Sequence, residues 1–259
     1  MAWLDRTLPQ KPGYANLSPR QAYELLFFEN MGLSPDELSI VSESPDEIVW
    51  LSRNRCSLLE ACVALGLDTR QVCRPVNEKA TQAFLSRLNP QLRFHRSYEE
   101  IRPHADYCRE KIVRTDFAAT MRIALQEAQR SKSEGNKGYG AAVVFDNHIL
   151  GQAHDTAITQ RDPSLHAEVN AIRQAVKAKD DTDLCGAILF ATCEPCPMCA
   201  SLAVWANVTT MVYGVSIEET AALGRSRINI GANEIVARSP AFVEIVGDVL
   251  HDECRALYT

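Results

Sequence analysis

The chain has 259 residues, 46% of them hydrophobic, enough to bury one large core or two modest ones. No apolar run reaches the roughly 18 residues of a membrane span, and the stretch from Met1 to Arg6 lacks the apolar centre of a secretion signal, so a soluble, cytoplasmic protein is expected. The net charge of −6 is unevenly shared: 12 Lys and Arg stand against 18 Asp and Glu from Thr115 onward, and 15 against 15 before it. Nucleic-acid enzymes usually carry a basic footprint, and the C-terminal part lacks one.

In chain order, Ser18 and Pro19 read as an N-cap and first helical position, predicting a helix through Phe28 that stops near Gly32. Short strands follow at Leu38 to Val41 and Ile48 to Leu51, then helices over Ser57 to Leu65 and Lys79 to Leu88, and an extended Leu92 to His95. This mixture describes a small α+β domain over residues 1–114, with Arg102 to Cys108 as an interdomain linker in preference to the closure of a ligand pocket. Ser-Pro-Asp-Glu occurs at Ser34 and again at Ser44, too short a unit for a repeat architecture. Cys56, Cys62, Cys73 and Cys108, with His95 and His104, supply soft ligands at spacings that match no compact zinc pattern. Core packing is favoured for these cysteines over a metal or cluster. This half states no function.

Past residue 115 an amphipathic helix runs from Phe117 to Gln129, followed by a glycine-rich loop and a strand pair, Ala141 to Phe145 and His148 to Gly151, about an Asp146-Asn147 turn. A helix is predicted from His166 through Val176, then a strand at Ala187 to Ala191, a helix from Cys196 to Trp205 and a strand at Thr210 to Tyr213. The end adds a strand at Phe242 to Val246 and a helix from about Asp248. Alternation of this kind implies an α/β layered sheet over residues 115–259.

Two short motifs carry chemistry: His166-Ala-Glu168 and Pro195-Cys-Pro-Met-Cys199. Nine cysteines, an odd number with Cys193, Cys196 and Cys199 crowded together, fit metal ligation in a reducing compartment better than disulfides. One imidazole and two thiolates fill three corners of a zinc tetrahedron and leave the fourth for water. Cys196 and Cys199 lie three apart at a helix start, on one face, where the helix dipole favours thiolate. His166 and Glu168 would point about 200° apart in a regular helix, so His166 must occupy an irregular first turn if both are to meet at the metal. Glu168 is then a proton shuttle, and hydroxide formed at zinc attacks an amidine carbon, releasing ammonia. A closed structural site with Cys193 as fourth ligand is the competing reading, though it gives the acid beside His166 no purpose.

The run from Arg161 to Arg173 and the run Cys193-Glu-Pro-Cys-Pro-Met-Cys199 resemble the cytidine deaminase superfamily, in its guanine deaminase and tRNA adenosine deaminase branch. The likeness covers about residues 115–259. It implies a three-layer α/β/α domain with a central five-stranded mixed sheet, usually a homodimer or larger, and one catalytic Zn2+ per chain on His166, Cys196 and Cys199 with Glu168 as acid/base. Asp155 occupies the position of a substrate-contacting Asn, and Ala167 is carried over as a second substrate contact. A carboxylate only accepts, where an Asn also donates, which favours a ligand edge rich in N–H groups such as guanine's. His154 is expected to face solvent, Leu165 to narrow the pocket or simply pack, and Glu218 and Glu219 to be solvated.

A zinc-dependent deaminase of a free nucleobase or nucleoside, guanine- or guanosine-like, is therefore expected, with a tRNA adenosine deaminase as the alternative. A zinc-containing sensor with a scaffolding deaminase-like half is a third reading, disfavoured by Glu168.

Overall fold

The structure, a computed structural model, describes residues 16–225 and 228–259. The Met1 to Arg6 stretch lies outside them. By contact density the chain divides into two compact units, Met1–Thr115 and Asp116–Thr259.

In the first unit Ser18 caps α1 (Pro19–Glu24) by accepting the Gln21 amide, and the helix runs on into π-helical turns over Leu25–Asn30. It is followed by β1 (Leu38–Ser44), β2 (Glu47–Ser52), α2 (Ser57–Leu65), α3 (Thr69–Cys73), α4 (Lys79–Leu88), β3 (Leu92–Arg96) and β4 (Cys108–Arg114). The sheet is antiparallel in the order β1-β2-β4-β3. Its core is aromatic: Tyr23 of α1 and Phe27 of the π-helical turns pack on Trp50 of β2 with ring centroids 4.9 and 5.2 Å apart.

The central strand β4 is an addition to the sequence-based assignment and begins at Cys108, the last residue of the expected linker. Its inward positions include Glu110, which breaks the apolar alternation that marks a strand. Glu110 lies opposite Trp50 on one side and Arg96 on the other. It accepts hydrogen bonds from Trp50 Nε1 at 2.8 Å, from Ser52 Oγ and from Arg96 Nε at 2.8 Å. A buried charge so fully satisfied is tolerated, where an unpaired one would cost several kcal/mol, on the order of the ~3–5 measured for broken buried pairs. Cys62, Cys73 and Cys108 are buried, the last two against Ile101, and the four N-terminal cysteines form no metal-ligating group among the described residues.

The second unit opens with α5 (Phe117–Ser133), capped by Asp116, which accepts the Ala119 amide at 2.9 Å. Then come β5 (Gly140–Phe145), β6 (His148–His154), α6 (Ala167–Lys179), β7 (Ile188–Cys193), α7 (Pro197–Trp205), β8 (Thr210–Val215), α8 (Ile217–Ala222), α9 (Ala232–Ala237), β9 (Glu244–Val246) and α10 (His251–Arg255). The sheet order is β6-β5-β7-β8-β9; β6, β5 and β7 pair antiparallel, β7, β8 and β9 parallel. Ala171, Ile172, Ala200 and Ala203 of α6 and α7 pack on one face, and Phe117, Met121, Cys254 and Tyr258 of α5 and the C-terminus on the other. This is the three-layer α/β/α architecture with a five-stranded mixed sheet. The two helices α8 and α9 are additions to the sequence-based assignment. No helix among the described residues is long and apolar enough to cross a membrane.

Small residues let the layers close. A Cβ at Gly151 of β6 would stand 2.3 Å from the Ala171 carbonyl oxygen of α6, and one at Gly140 of β5 1.9 Å from the Ala124 carbonyl oxygen of α5. Helix backbone therefore lies directly on strand backbone on both faces. Gly151→Ala is expected to cost about 1–3 kcal/mol by overpacking, read as a lower urea midpoint; an unchanged midpoint would show that α6 does not press on β6.

Candidate metal centre and active site

Both helices that bear the motifs begin at the site. His166 is the N-cap of α6 with an extended backbone (φ −69°, ψ 158°), and Cys196 is the N-cap of α7 (φ −65°, ψ 168°). An N-cap lies off the helical path, which removes the 200° divergence of a regular helix and lets His166 share one cavity with Glu168. Cys199 sits in the first turn of α7, and Pro197 fills a first-turn position whose amide would lack an intrahelical partner.

Three donor atoms converge. Cys196 Sγ lies 3.6 Å from both Cys199 Sγ and His166 Nδ1, and Cys199 Sγ lies 3.5 Å from His166 Nδ1. Among the described residues this is the group of donors able to hold a metal ion. Zinc at about 2.3 Å from sulfur and about 2.0–2.1 Å from nitrogen, tetrahedrally arranged, sets S···S near 3.8 Å and S···N near 3.6 Å. The donor triangle fits that ion to within a few tenths of an ångström.

Cys193, the rival fourth ligand, lines the cavity with His166 and Glu168 but is not among the converging donors: its Sγ is 3.6 Å from Thr220 Oγ1, packed with Val215, Cys254 and Tyr258. The three donors therefore do not form a closed four-ligand cage with Cys193.

Electrostatics follow the same grouping. Cys196 is drawn down to about 4, chiefly by the hydrogen bond with Cys199 and further by His166. Cys199 goes the opposite way, because its bond to Cys196 and its burial hold the proton. His166 is raised, first by its bond to Cys196, then by the carboxylates of Glu168 and Asp155. Glu168, 7% exposed, lines a cavity of ≈ 10 Å³ with His166, Tyr139 and Thr192, the volume of about one water.

The proposed substrate contacts flank that cavity without lining it. Asp155 is 1% exposed; its amide donates to the Tyr139 carbonyl, its carbonyl accepts Ser131 Oγ, and its Oδ1 accepts the Ala157 amide at 3.2 Å. Its Oδ2 takes no hydrogen bond among the described residues. Ala167 is buried in the core beside Ala171, which leaves its backbone amide as the part able to meet a ligand. His154 does not face solvent: it is buried, with Nδ1 2.8 Å from Glu127 and Nε2 2.9 Å from Glu134. Leu165 is half-buried, outside the cavity wall. Glu218 is exposed, whereas Glu219 pairs with His251 and Arg255.

Sequence reasoning missed two positioning residues. Asn170, one turn past His166, donates through Nδ2 to the His154 carbonyl at 3.0 Å and to Thr156 Oγ1 at 3.1 Å, tying down the loop that delivers His166. Glu194, buried inside the second motif, accepts the Ala232 amide at 2.7 Å and the Ile217 amide at 2.9 Å. One carboxylate thereby fixes the starts of α8 and α9 against the segment that leads to Cys196. Its signal was its place between Cys193 and Pro195, an acid with no role in ligation.

Residues 114–215 match the cytidine and deoxycytidylate deaminase zinc-binding region. The tRNA-specific adenosine deaminase of Haemophilus influenzae is 33% identical over 144 residues, 55% of this chain and 81% of that protein. The chain belongs to the cytidine and deoxycytidylate deaminase family. The guanine deaminase of Bacillus subtilis is 37% identical over 86 residues, 33% of this chain and 55% of that protein. Among solved structures, guanine deaminase from Nitrosomonas europaea aligns with a TM-score of 0.48 at 22% identity, over 54% of this chain and 81% of that one. The resemblance drawn from the two motifs therefore holds, and the deaminase unit falls in a family of hydrolytic, zinc-type deaminases of nucleic-acid bases.

Glu194→Ala strands two buried amides at about 1–3 kcal/mol each. A drop in thermal stability together with sub-stoichiometric zinc is the expected outcome; wild-type stability would show that the carboxylate does not brace the loop.

Proposed function

We propose that residues 116–259 form a catalytic domain, distinct from residues 1–115, that deaminates a free nucleobase or nucleoside of guanine or guanosine type. The observation that carries the substrate class is Asp155: a buried carboxylate, close enough to His166 to raise its pKa, with one oxygen uncommitted. An acceptor-only group suits a ring edge that offers N–H donors, as guanine's does.

His166, Cys196 and Cys199 would hold one zinc ion, which supplies the acidity that makes water a nucleophile at neutral pH. Glu168, in the wall of the cavity beside His166, takes the proton of the attacking water. It delivers that proton to the ring nitrogen next to the amidine carbon, and then assists the amino group as it departs. Water is consumed, the carbon–nitrogen bond breaks, and a carbonyl and ammonia result. The first-turn amides and dipole of α7 favour thiolate at Cys196, keeping the donors in their binding form.

A tRNA adenosine as substrate is the second reading, favoured by the 81% coverage of the Haemophilus influenzae relative. Against it stands the acidic balance of this half, since phosphate neutralisation supplies much of nucleic-acid affinity. A homodimer is proposed with either substrate; Trp205, 80% exposed at the end of α7, and the exposed Met198 on the same helix support it.

Glu168→Gln is expected to keep stoichiometric zinc while lowering kcat by about 10²-fold or more; undiminished turnover would remove Glu168 from the proton path. Ammonia release from guanine, guanosine, cytosine and tRNA assigns the substrate. Release from tRNA alone, steeply inhibited by salt, would overturn the free-base reading. Asp155→Asn should leave the fold and zinc content intact and selectively lower guanine turnover; equal rates would take Asp155 out of substrate recognition.

A further inference from the structure

The glycine-rich loop between α5 and β5 has no role in the chemistry above, yet it delivers Tyr139, with Gly140 next to it, to the wall of the cavity beside Glu168. Three cations gather on this loop. Gly138, at φ +80°, is where the stem of Lys132 crosses it: a Cβ there would stand 2.8 Å from Lys132 Cγ and Cε. Lys137 is exposed on the adjoining residue. Arg225, just past α8, donates through Nη1 to the Lys137 carbonyl at 3.4 Å and holds its Cζ 5.6 Å from the centre of the Tyr258 ring. Tyr258 in turn stands 5.2 Å from the Tyr139 ring and donates to Thr192 Oγ1 at 2.8 Å, and Tyr139 and Thr192 are both cavity wall. The guanidinium is thus tied to the rim of the site by two routes.

Several other arginines of this unit are paired with carboxylates: Arg122 with Glu253, Arg130 with Glu134, Arg238 with Glu234 and Arg255 with Glu219. Glu134, the acid of the loop, is taken by Arg130 and His154. Lys132, Lys137 and Arg225 have no carboxylate partner among the described residues. Like charges on adjoining residues repel, and a bound anion would relieve that repulsion.

We propose that the substrate of the deaminase site carries a phosphate: a purine nucleoside 5′-monophosphate, with its base at Glu168 and Asp155 and its phosphate on Arg225, Lys132 and Lys137. The inference rests on the purine reading of the site given under the proposed function. Lys137 is two residues from Tyr139, at most about 7 Å of chain, which suits the reach from a base across its ribose. Arg225 supplies the planar fork that matches phosphate oxygens. A polyanion such as tRNA is held by a tract of cations, whereas this acidic unit gathers three on one loop, enough for a single phosphate.

The test is ammonia release by the full-length, zinc-loaded protein from guanosine 5′-monophosphate (GMP), guanosine, guanine and tRNA. GMP is expected to exceed guanosine in kcat/KM by about tenfold or more, a margin that moderate salt narrows. Arg225→Gln is expected to erase most of that margin, and Arg225→Lys, which keeps the charge, to retain most of it. The proposal is overturned if guanosine is handled as well as GMP, if Arg225→Gln leaves the margin intact, or if tRNA alone reacts. Should guanosine and guanine react while GMP does not, this proposal fails and the purine reading stands; should none of the three react, the purine reading fails with it. The wild-type comparison of GMP with guanosine decides the matter even if Arg225→Gln does not fold.

Discussion

The deaminase unit depends on holding two helix starts, thirty residues apart in sequence between His166 and Cys196, so that three donor atoms stand 3.5–3.6 Å from one another. Neither helix can set that distance alone. α6 is seated by the glycine contact with β6 and by Asn170, which reaches back to the end of β6. α7 follows β7, whose parallel pairing with β8 fixes where the strand ends, and Glu194 locks the next few residues to α8 and α9. The candidate metal site is therefore a readout of sheet–helix packing, and a shift of a few tenths of an ångström in either layer is a shift in donor geometry.

Much of this was legible in the residues because ligation chemistry is local. Cys196 and Cys199 had to share a face, and the 200° argument already required His166 to leave the helical path. The extended N-cap supplies that irregularity. What escaped was whatever depends on partners distant in sequence. β4 was hidden because Glu110 occupies an inward position, made acceptable by Trp50 and Ser52, about sixty residues away, and by Arg96. His154 gave no sign of burial, since its two carboxylates come from α5 and the residue that caps its C-terminus, 27 and 20 residues earlier. In both cases a polar residue imitates a surface position until its partners are known.

Charge distribution shows the same dependence on context. The acidic balance of the second unit is partly internal: Glu127 and Glu134 clamp His154, Glu194 braces two helix starts, and Glu219 anchors His251 and Arg255 of the C-terminal helix. Counting residues treats all of these as surface field, but several act as brackets at distances where hydrogen bonding dominates. They remain charges, so the unit still lacks the basic excess that would draw a polyanion.

Asp155 carries the remaining tension. A buried carboxylate is stable only when its charge is met, and no Lys or Arg side chain pairs with this one among the described residues. The Ala157 amide satisfies one oxygen, and an Asn would accept from that amide equally well through its own carbonyl. Packing alone therefore gives no reason for the acid. The substrate contact proposed for Asp155 would give that charge a purpose beside His166: a donor-rich substrate edge would meet the oxygen that takes no hydrogen bond.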